Sequence, residues 1–260
     1  MGGASPLLTR RAGAFVALAA VLAAYYATAH AWPNVSTWWD VAFLGLLLVP
    51  AVFGLVYAFL PFWRAPLPQL ALLALAFAAV AAAFQAAGLV EAASFAKLGA
   101  TAAAAFVFLA IFESAAWVAL IAALIPWVDI YSVFWGPTSK ILKHPKGVSA
   151  LSFGFPIPGE PGVASLGLPD LLFFALFLAA AARFRLRVAS TFVLMALSFG
   201  VTTALAAWTD RALPATPLLS IGFLLANADL LWRELRRQPP AAGERIDRSV
   251  QTDTRETRAS

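Results

Sequence analysis

The sequence contains no cysteine and only two histidines, and these shortages exclude several kinds of site. Without cysteine the 260-residue chain forms no disulfide and offers neither a thiolate metal ligand nor a thiol nucleophile. The two histidines, His30 and His144, lack the H-E-x-x-H spacing of a metalloprotease helix. Neither lies in the middle of an apolar run, where a membrane serine protease needs its base, and no phosphate-binding glycine loop is present. The sequence therefore predicts neither a metal nor a cofactor.

Charged residues are also scarce. Only 12% of the residues are charged and 62% are hydrophobic, whereas a soluble domain has about 25% charged and about 45–50% apolar residues. The mean hydropathy is +0.83, which is typical of an integral membrane protein in contact with a lipid bilayer. The net charge of +5 is expected to report membrane topology, so it predicts no nucleic-acid partner.

The apolar runs predict an all-α, polytopic bundle of about eight transmembrane helices, because each span needs about 20 apolar residues. Residues 98–136 are too long for one span, and we expect two that separate near Glu113–Ser114. The expected spans cover residues 13–29, 41–62, 70–89, two within 98–136, 170–184, 188–208 and 218–232.

These spans divide the chain into four regions. A short N-terminal cytoplasmic segment, 1–12, precedes three spans in 13–97, and five more spans form a core in 98–232. The polar residues 233–260 predict a disordered cytoplasmic tail. Arg10–Arg11, the apolar run after them and Ala29-His30-Ala31 also resemble a signal peptide with a cleavage site, although the length of the run favours a retained anchor.

The distribution of positive charge predicts the orientation of the bundle. Basic residues concentrate on cytoplasmic loops, and eight spans divide them into two sets. The larger set, expected to be cytoplasmic with both termini, is Arg10, Arg11, Arg64, Arg183, Arg185, Arg187, Arg233, Arg236 and Arg237. The smaller set is Lys97, Lys140, Lys143, Lys146 and Arg211. The loop 137–166 then faces outward, and the Ala-rich composition suggests a bacterial cytoplasmic membrane.

Two aspartates, Asp129 and Asp170, lie inside apolar stretches. An ionisable residue inside a membrane costs roughly 2.5–3.5 kcal/mol even on a mild insertion scale, and its default interpretation is functional. At a rise of about 1.5 Å per residue, Asp129 lies roughly 10 Å from the Gly136–Pro137 end of its span. Asp170 lies roughly 20 Å from Arg183, which marks the inner surface at the other end of its own span. In a core of about 30 Å, both carboxylates are expected at the same depth.

That depth requires residues 162–169, which are uncharged and rich in Gly and Pro, to enter the membrane in a non-helical form. Irregular backbone is tolerated there only when it is buried in protein or lines a watery cavity. Pro169 suits the first residue of the helix that follows, because its missing N–H has no partner there.

A pair of carboxylates a few ångströms apart holds one proton near neutral pH. The ionised member is a general base for water and the protonated member is a general acid for a carbonyl oxygen, as in aspartic proteases.

Three segments resemble the motifs of the presenilin and signal peptide peptidase family, in the same order along the chain. Residues 129–134, followed by Gly136-Pro137, resemble the first catalytic segment, 167–171 resemble the GxGD segment, and 213–218 resemble the PAL segment. The resemblance covers roughly residues 98–232. Each motif departs at one position: Val128 replaces a tyrosine, Pro169 a glycine and Thr216 a leucine. The family typically has nine spans, one more than we expect here.

The resemblance implies a presenilin-like fold and an intramembrane aspartyl protease with Asp129 and Asp170 as the catalytic pair. It further implies substrates that are transmembrane helices or signal-peptide-like segments, partly unwound at the cleavage site. The outward-facing loop resembles the signal peptide peptidase orientation. The substrate-binding residues that the resemblance implies are Tyr131, Gly167, Leu168, Pro214, Ala215, Thr216 and Pro217.

Other interpretations remain open at this stage. A proton-coupled transporter could use the same aspartates as a relay, and a catalytically silent relative could bind membrane helices. Asp129 could be a structural polar residue, Asp170 a helix N-cap, and Pro214–Pro217 a plain helix start.

Overall fold

A computed structural model of the chain describes residues 6–136 and 145–237. The helices are α1 Pro6–Thr28, α2 Thr37–Phe43, α3 Val49–Phe59, α4 Leu67–Ala86, α5 Val90–Leu109, α6 Ala115–Phe134, α7 Pro145–Leu151, α8 Leu168–Arg183, α9 Val188–Thr209 and α10 Thr216–Arg237. Strands β1 Ser152–Pro156 and β2 Val163–Gly167 form an antiparallel pair. The chain is therefore mainly helical, which agrees with the expected all-α membrane bundle, and it contains one short β-hairpin that was not expected.

Within these ranges, six helical segments are long and apolar enough to cross a membrane, which supports an integral membrane protein. They are Ala12–Ala31, Thr37–Arg64, Leu67–Ala86, Val90–Leu109, Ala115–Phe134 and Val188–Thr209. The two remaining expected spans are present as helices but are not among these six. One of them, α8, has only 16 residues, fewer than the about 20 that a membrane core requires.

The helix boundaries correct several expectations. The break near Glu113–Ser114 is confirmed, because α5 ends at Leu109 and α6 begins at Ala115. However, α5 begins at Val90, eight residues before the expected start. Lys97 lies within this helix, where it is buried and donates a hydrogen bond to Gln85 of α4, so it does not mark a membrane surface.

Both ends of the described chain are more helical than expected. Helix α1 begins at Pro6, within the segment expected to precede the first span, and α10 continues to Arg237 through the first five residues of the expected tail. Charged residues are good helix formers where a helix leaves the lipid. The expected tail over 238–260, the first five residues, Lys140 and Lys143 lie outside the described residues.

Helix α8 is the centre of the bundle. Residues 174–181 on this helix are all fully buried, and it packs against α5, α9, α10 and α3. Phe174 stacks on Phe53 of α3 with ring centroids 3.8 Å apart, and Phe177 stacks on Phe223 of α10 at 4.8 Å. Because α8 carries Asp170 in its first turn, this packing fixes the position of the site relative to the buried core.

Small residues allow other helices to approach closely. A π-helical turn, 44–48, joins α2 to α3, and its Gly45 meets Gly200 of α9. A Cβ added at Gly45 would stand 3.0 Å from the Gly200 Cα. Close backbone contact of this kind is the usual way in which membrane helices associate, because lipid provides no hydrophobic force between them.

Candidate active site

The first aspartate, Asp129, lies near the end of α6 and faces the beginning of α10. Helix α6 packs chiefly against α10 and only slightly against α8. The hydroxyl of Thr216, the first residue of α10, donates a short hydrogen bond to Asp129 Oδ2. The Asp129 carboxylate also interacts with the backbone N–H of Thr216. One residue of the third motif therefore holds the carboxylate of the first motif.

The second aspartate, Asp170, lies where the hairpin joins α8. Of the residues 162–169 that were expected to be non-helical, 162–167 are, and they include β2, which ends at Gly167. The helix begins at Leu168, so Pro169 is its second residue and not its first. Gly167 lies directly against the carboxylate, since a Cβ added there would stand 3.0 Å from Asp170 Oδ2. The absence of a side chain at this position leaves room for the acid.

The start of α10 also contacts Asp170. The Asp170 carboxylate interacts with the backbone N–H groups of Ala215 and Thr216. The first N–H groups of a helix have no intrahelical acceptor, and they carry the positive end of the helix dipole. Pro217 follows directly and has no N–H to contribute. The segment Pro214–Pro217 thus directs the amides of Ala215 and Thr216 at the Asp170 carboxylate.

These contacts bring the three motifs to one place. The backbone N–H of Thr216 interacts with both carboxylates, and the charge of Asp129 acts directly on Asp170. The two carboxylates are therefore close enough for their charges to interact. Both residues are partly exposed, whereas Thr216 is 1% exposed. A carboxylate pair that interacts in this way can share one proton and can activate a water molecule.

The other residues expected at the site differ in their positions. Ala215 is buried, while Leu168, Pro214 and Pro217 are partly exposed around the pair. Tyr131 lies on the outer surface of α6, where its ring is 62% exposed and approaches Trp135. Within the described ranges, no group of three or more His, Asp or Glu side chains is placed to hold a metal ion.

One edge of the hairpin is closed by side chains from other elements, and no pattern in the sequence predicted this contact. Tyr26 of α1 donates to the Gly154 carbonyl at 2.8 Å, and the Gly154 N–H donates to Ser94 of α5 at 3.2 Å. Tyr25 donates to the Pro156 carbonyl at 2.6 Å. The available signals were a tyrosine pair in an Ala-rich span and a serine near the start of α5.

The opposite edge of the hairpin has no hydrogen-bond partner among the described residues. Since the backbone groups of Gly154 point away from β2, those of Ser165, its partner across the pair, point away from β1 in the alternating antiparallel pattern. Ser165 and Val163 are exposed. Within residues 6–136 and 145–237, strand β2 therefore presents an unpaired backbone edge that leads directly to Gly167 and Asp170.

No protein-family model, curated protein or solved structure matches this chain.

Proposed function

We propose that this chain is an intramembrane aspartyl protease that hydrolyses peptide bonds of transmembrane or signal-peptide-like segments. The observation that carries the proposal is the contact of Asp129 and Asp170 with the same residue, Thr216. A structural role for a buried acid needs only one partner. Two acids that interact with each other and share the start of one helix as a partner suit a reaction that moves protons.

The proposed reaction uses one proton shared by the pair. The ionised carboxylate removes a proton from water as the water oxygen attacks the peptide carbonyl carbon, and the protonated carboxylate gives its proton to the carbonyl oxygen. As the C–N bond of the resulting gem-diol breaks, the carboxyl group that took its proton from water gives that proton to the nitrogen. The other carboxylate takes a proton from a gem-diol hydroxyl, so the products are a carboxylic acid and an amine, and the pair again holds one proton.

The open edge of β2 supports a route for the substrate. A helix that unwinds in the membrane exposes backbone N–H and C=O groups that must find partners. An extended substrate segment that adds as a strand beside Ser165 satisfies these groups, as in other strand-addition complexes. Strand β2 then directs the scissile bond to the pair, because Gly167 is followed three residues later by Asp170.

The test is cleavage of a single-span substrate by the purified chain in liposomes. Asp129→Asn and Asp170→Asn should each abolish cleavage, whereas Asp40→Asn should retain it. Asp40 is the matched control because it is an acid of an apolar helix, 5% exposed and distant in sequence from the three motifs. Persistent cleavage in either site variant would refute the assignment. Proton-coupled uptake without cleavage would favour a transporter, and helix binding without cleavage would favour a silent relative.

The same proposal places both termini on the cytoplasmic side of a bacterial membrane. Because the chain has no cysteine, single cysteines report exposure without background. Arg211→Cys should react with an impermeant maleimide in intact cells, and Glu113→Cys should react only after lysis. Both positions are exposed in the structure. The reverse result would invert the orientation.

A further inference from the structure

Lys97 is a buried cation that the proposed reaction does not use. It lies in α5, is 6% exposed, and has no carboxylate of the described residues within ion-pair distance. Its ammonium group instead donates to three oxygens: Gln85 Oε1 at 2.9 Å, the Ser149 carbonyl at 2.5 Å and the Ser152 carbonyl at 3.4 Å. A buried charge without a counter-ion is costly, so its retention requires an explanation.

The three acceptors show what Lys97 holds. Ser149 lies in α7 and Ser152 is the first residue of β1, so two of the three bonds fix the junction where the hairpin begins. An ammonium group has three donors and no acceptor, which matches a set of three oxygens. Gln85 belongs to α4 and also donates to the Ser149 hydroxyl at 3.1 Å. The junction is thus tied to two packed helices.

A short series of contacts connects this junction with the reacting pair. Ser152 is paired across the hairpin with Gly167. Gly167 in turn lies against the Asp170 carboxylate, where an added Cβ would stand 3.0 Å from Oδ2. In the alternating pattern the adjacent pair, Phe153 and Leu166, exchanges the hydrogen bonds between the strands, so we expect a displacement of Ser152 to reach Gly167 and the start of α8.

We propose that Lys97 is a positioning residue, which sets the location of Asp170 by holding the Ser152–Gly167 end of the hairpin. The effect on kcat rests on the proposed protease function. The effect on the mobility of the hairpin rests on the structure alone. The other end of the hairpin, where Pro156 pairs with Val163, is held by Tyr25 and is farther from Asp170. Lys97 and Tyr25 thus anchor the same strand at opposite ends.

The experiment compares Lys97→Met with Tyr25→Phe, each of which removes one anchor and keeps the approximate side-chain volume. Because small displacements of a reacting group cost up to about 100-fold in rate, Lys97→Met should lower kcat by about tenfold to 100-fold and change KM less. Tyr25→Phe should leave kcat near that of the wild type. An equal loss of kcat in both variants, which a general loosening of the fold produces, would overturn the proposal.

A second readout does not depend on cleavage. A nitroxide on Ser165→Cys reports the motion of β2, and one on the exposed Val193→Cys of α9 is the control. Lys97→Met should increase mobility at position 165 only, and unchanged mobility there would overturn the proposal. Lys97→Gln keeps two donors and should give an intermediate mobility if the Met variant does not fold. If the wild-type chain cleaves no substrate, the protease proposal is refuted. The nitroxide mobility at position 165 then still tests the role of Lys97.

Discussion

Thr216 donates its hydroxyl hydrogen bond to the carboxylate of Asp129, 87 positions away in the sequence, and its backbone N–H interacts with both Asp129 and Asp170. A leucine at this position, as in the PAL pattern, supplies the N–H but no hydroxyl. The threonine therefore adds a donor to the pair while the helix start keeps its shape.

Replacing Thr216 with valine tests this added donor. Valine keeps the branched shape and the backbone N–H, but removes the hydroxyl. Hydrogen bonds to charged groups contribute about 1.5–3 kcal/mol, so kcat of the proposed cleavage should fall by roughly tenfold or more. Thr209→Val is the matched control, because that exposed hydroxyl donates only to the Leu205 carbonyl of its own helix. An unchanged kcat in the Thr216 variant would show that the hydroxyl is dispensable.

Gly167→Ala tests the space beside Asp170. The new Cβ would stand 3.0 Å from Asp170 Oδ2, tighter than an ordinary contact, so the carboxylate or the strand must shift. We expect cleavage to fall with little change in the unfolding temperature. Gly154→Ala in the partner strand is the control, since its Cβ would meet only the Ser94 hydroxyl at 3.8 Å. Equal activity in the two variants would contradict the prediction.

Gly200→Ala tests the close approach of α9 to the π-helical turn. A Cβ at Gly200 would stand 3.1 Å from the Gly45 carbonyl oxygen, which is a backbone atom and cannot rotate away. Overpacking of this kind costs about 1–3 kcal/mol, so the unfolding temperature should fall. Gly13→Ala has nothing within 4 Å and should leave it unchanged or slightly higher. Differential scanning fluorimetry in detergent measures both.

Asn227→Ala tests a hydrogen-bond cluster at the other end of α10. Asn227 is fully buried, accepts from the Arg187 N–H at 2.9 Å and donates to the Thr191 hydroxyl at 2.8 Å. Its removal leaves buried groups unpaired, which costs about 1–3 kcal/mol. Asp229→Ala breaks the Arg187 ion pair, but that pair is solvent-exposed and should matter less. Chemical unfolding should rank the two variants in this order, and the opposite ranking would contradict it.

Local patterns in the sequence were sufficient for much of the fold. Apolar runs, Pro–Gly breaks and the isolated acids are visible in windows of about 20 residues, the length of one span. They correctly predicted the break near Glu113–Ser114 and the non-helical approach to Asp170. These patterns misplaced the start of α5, because a lysine within an apolar run predicts the membrane surface unless its hydrogen-bond partners are known. Those partners lie as far away as Ser152, 55 positions later.

The sequence by itself determined that this is a membrane-type chain with two acids in apolar surroundings, since hydropathy and charge are properties of each residue and its neighbours. Only the tertiary structure decided that the acids share Thr216, that β1 is closed by α1 and α5, and that Lys97 is enclosed by oxygens. These relationships join residues 12 to 131 positions apart. They depend on how helices and strands pack, and packing is not encoded in any single window of the chain.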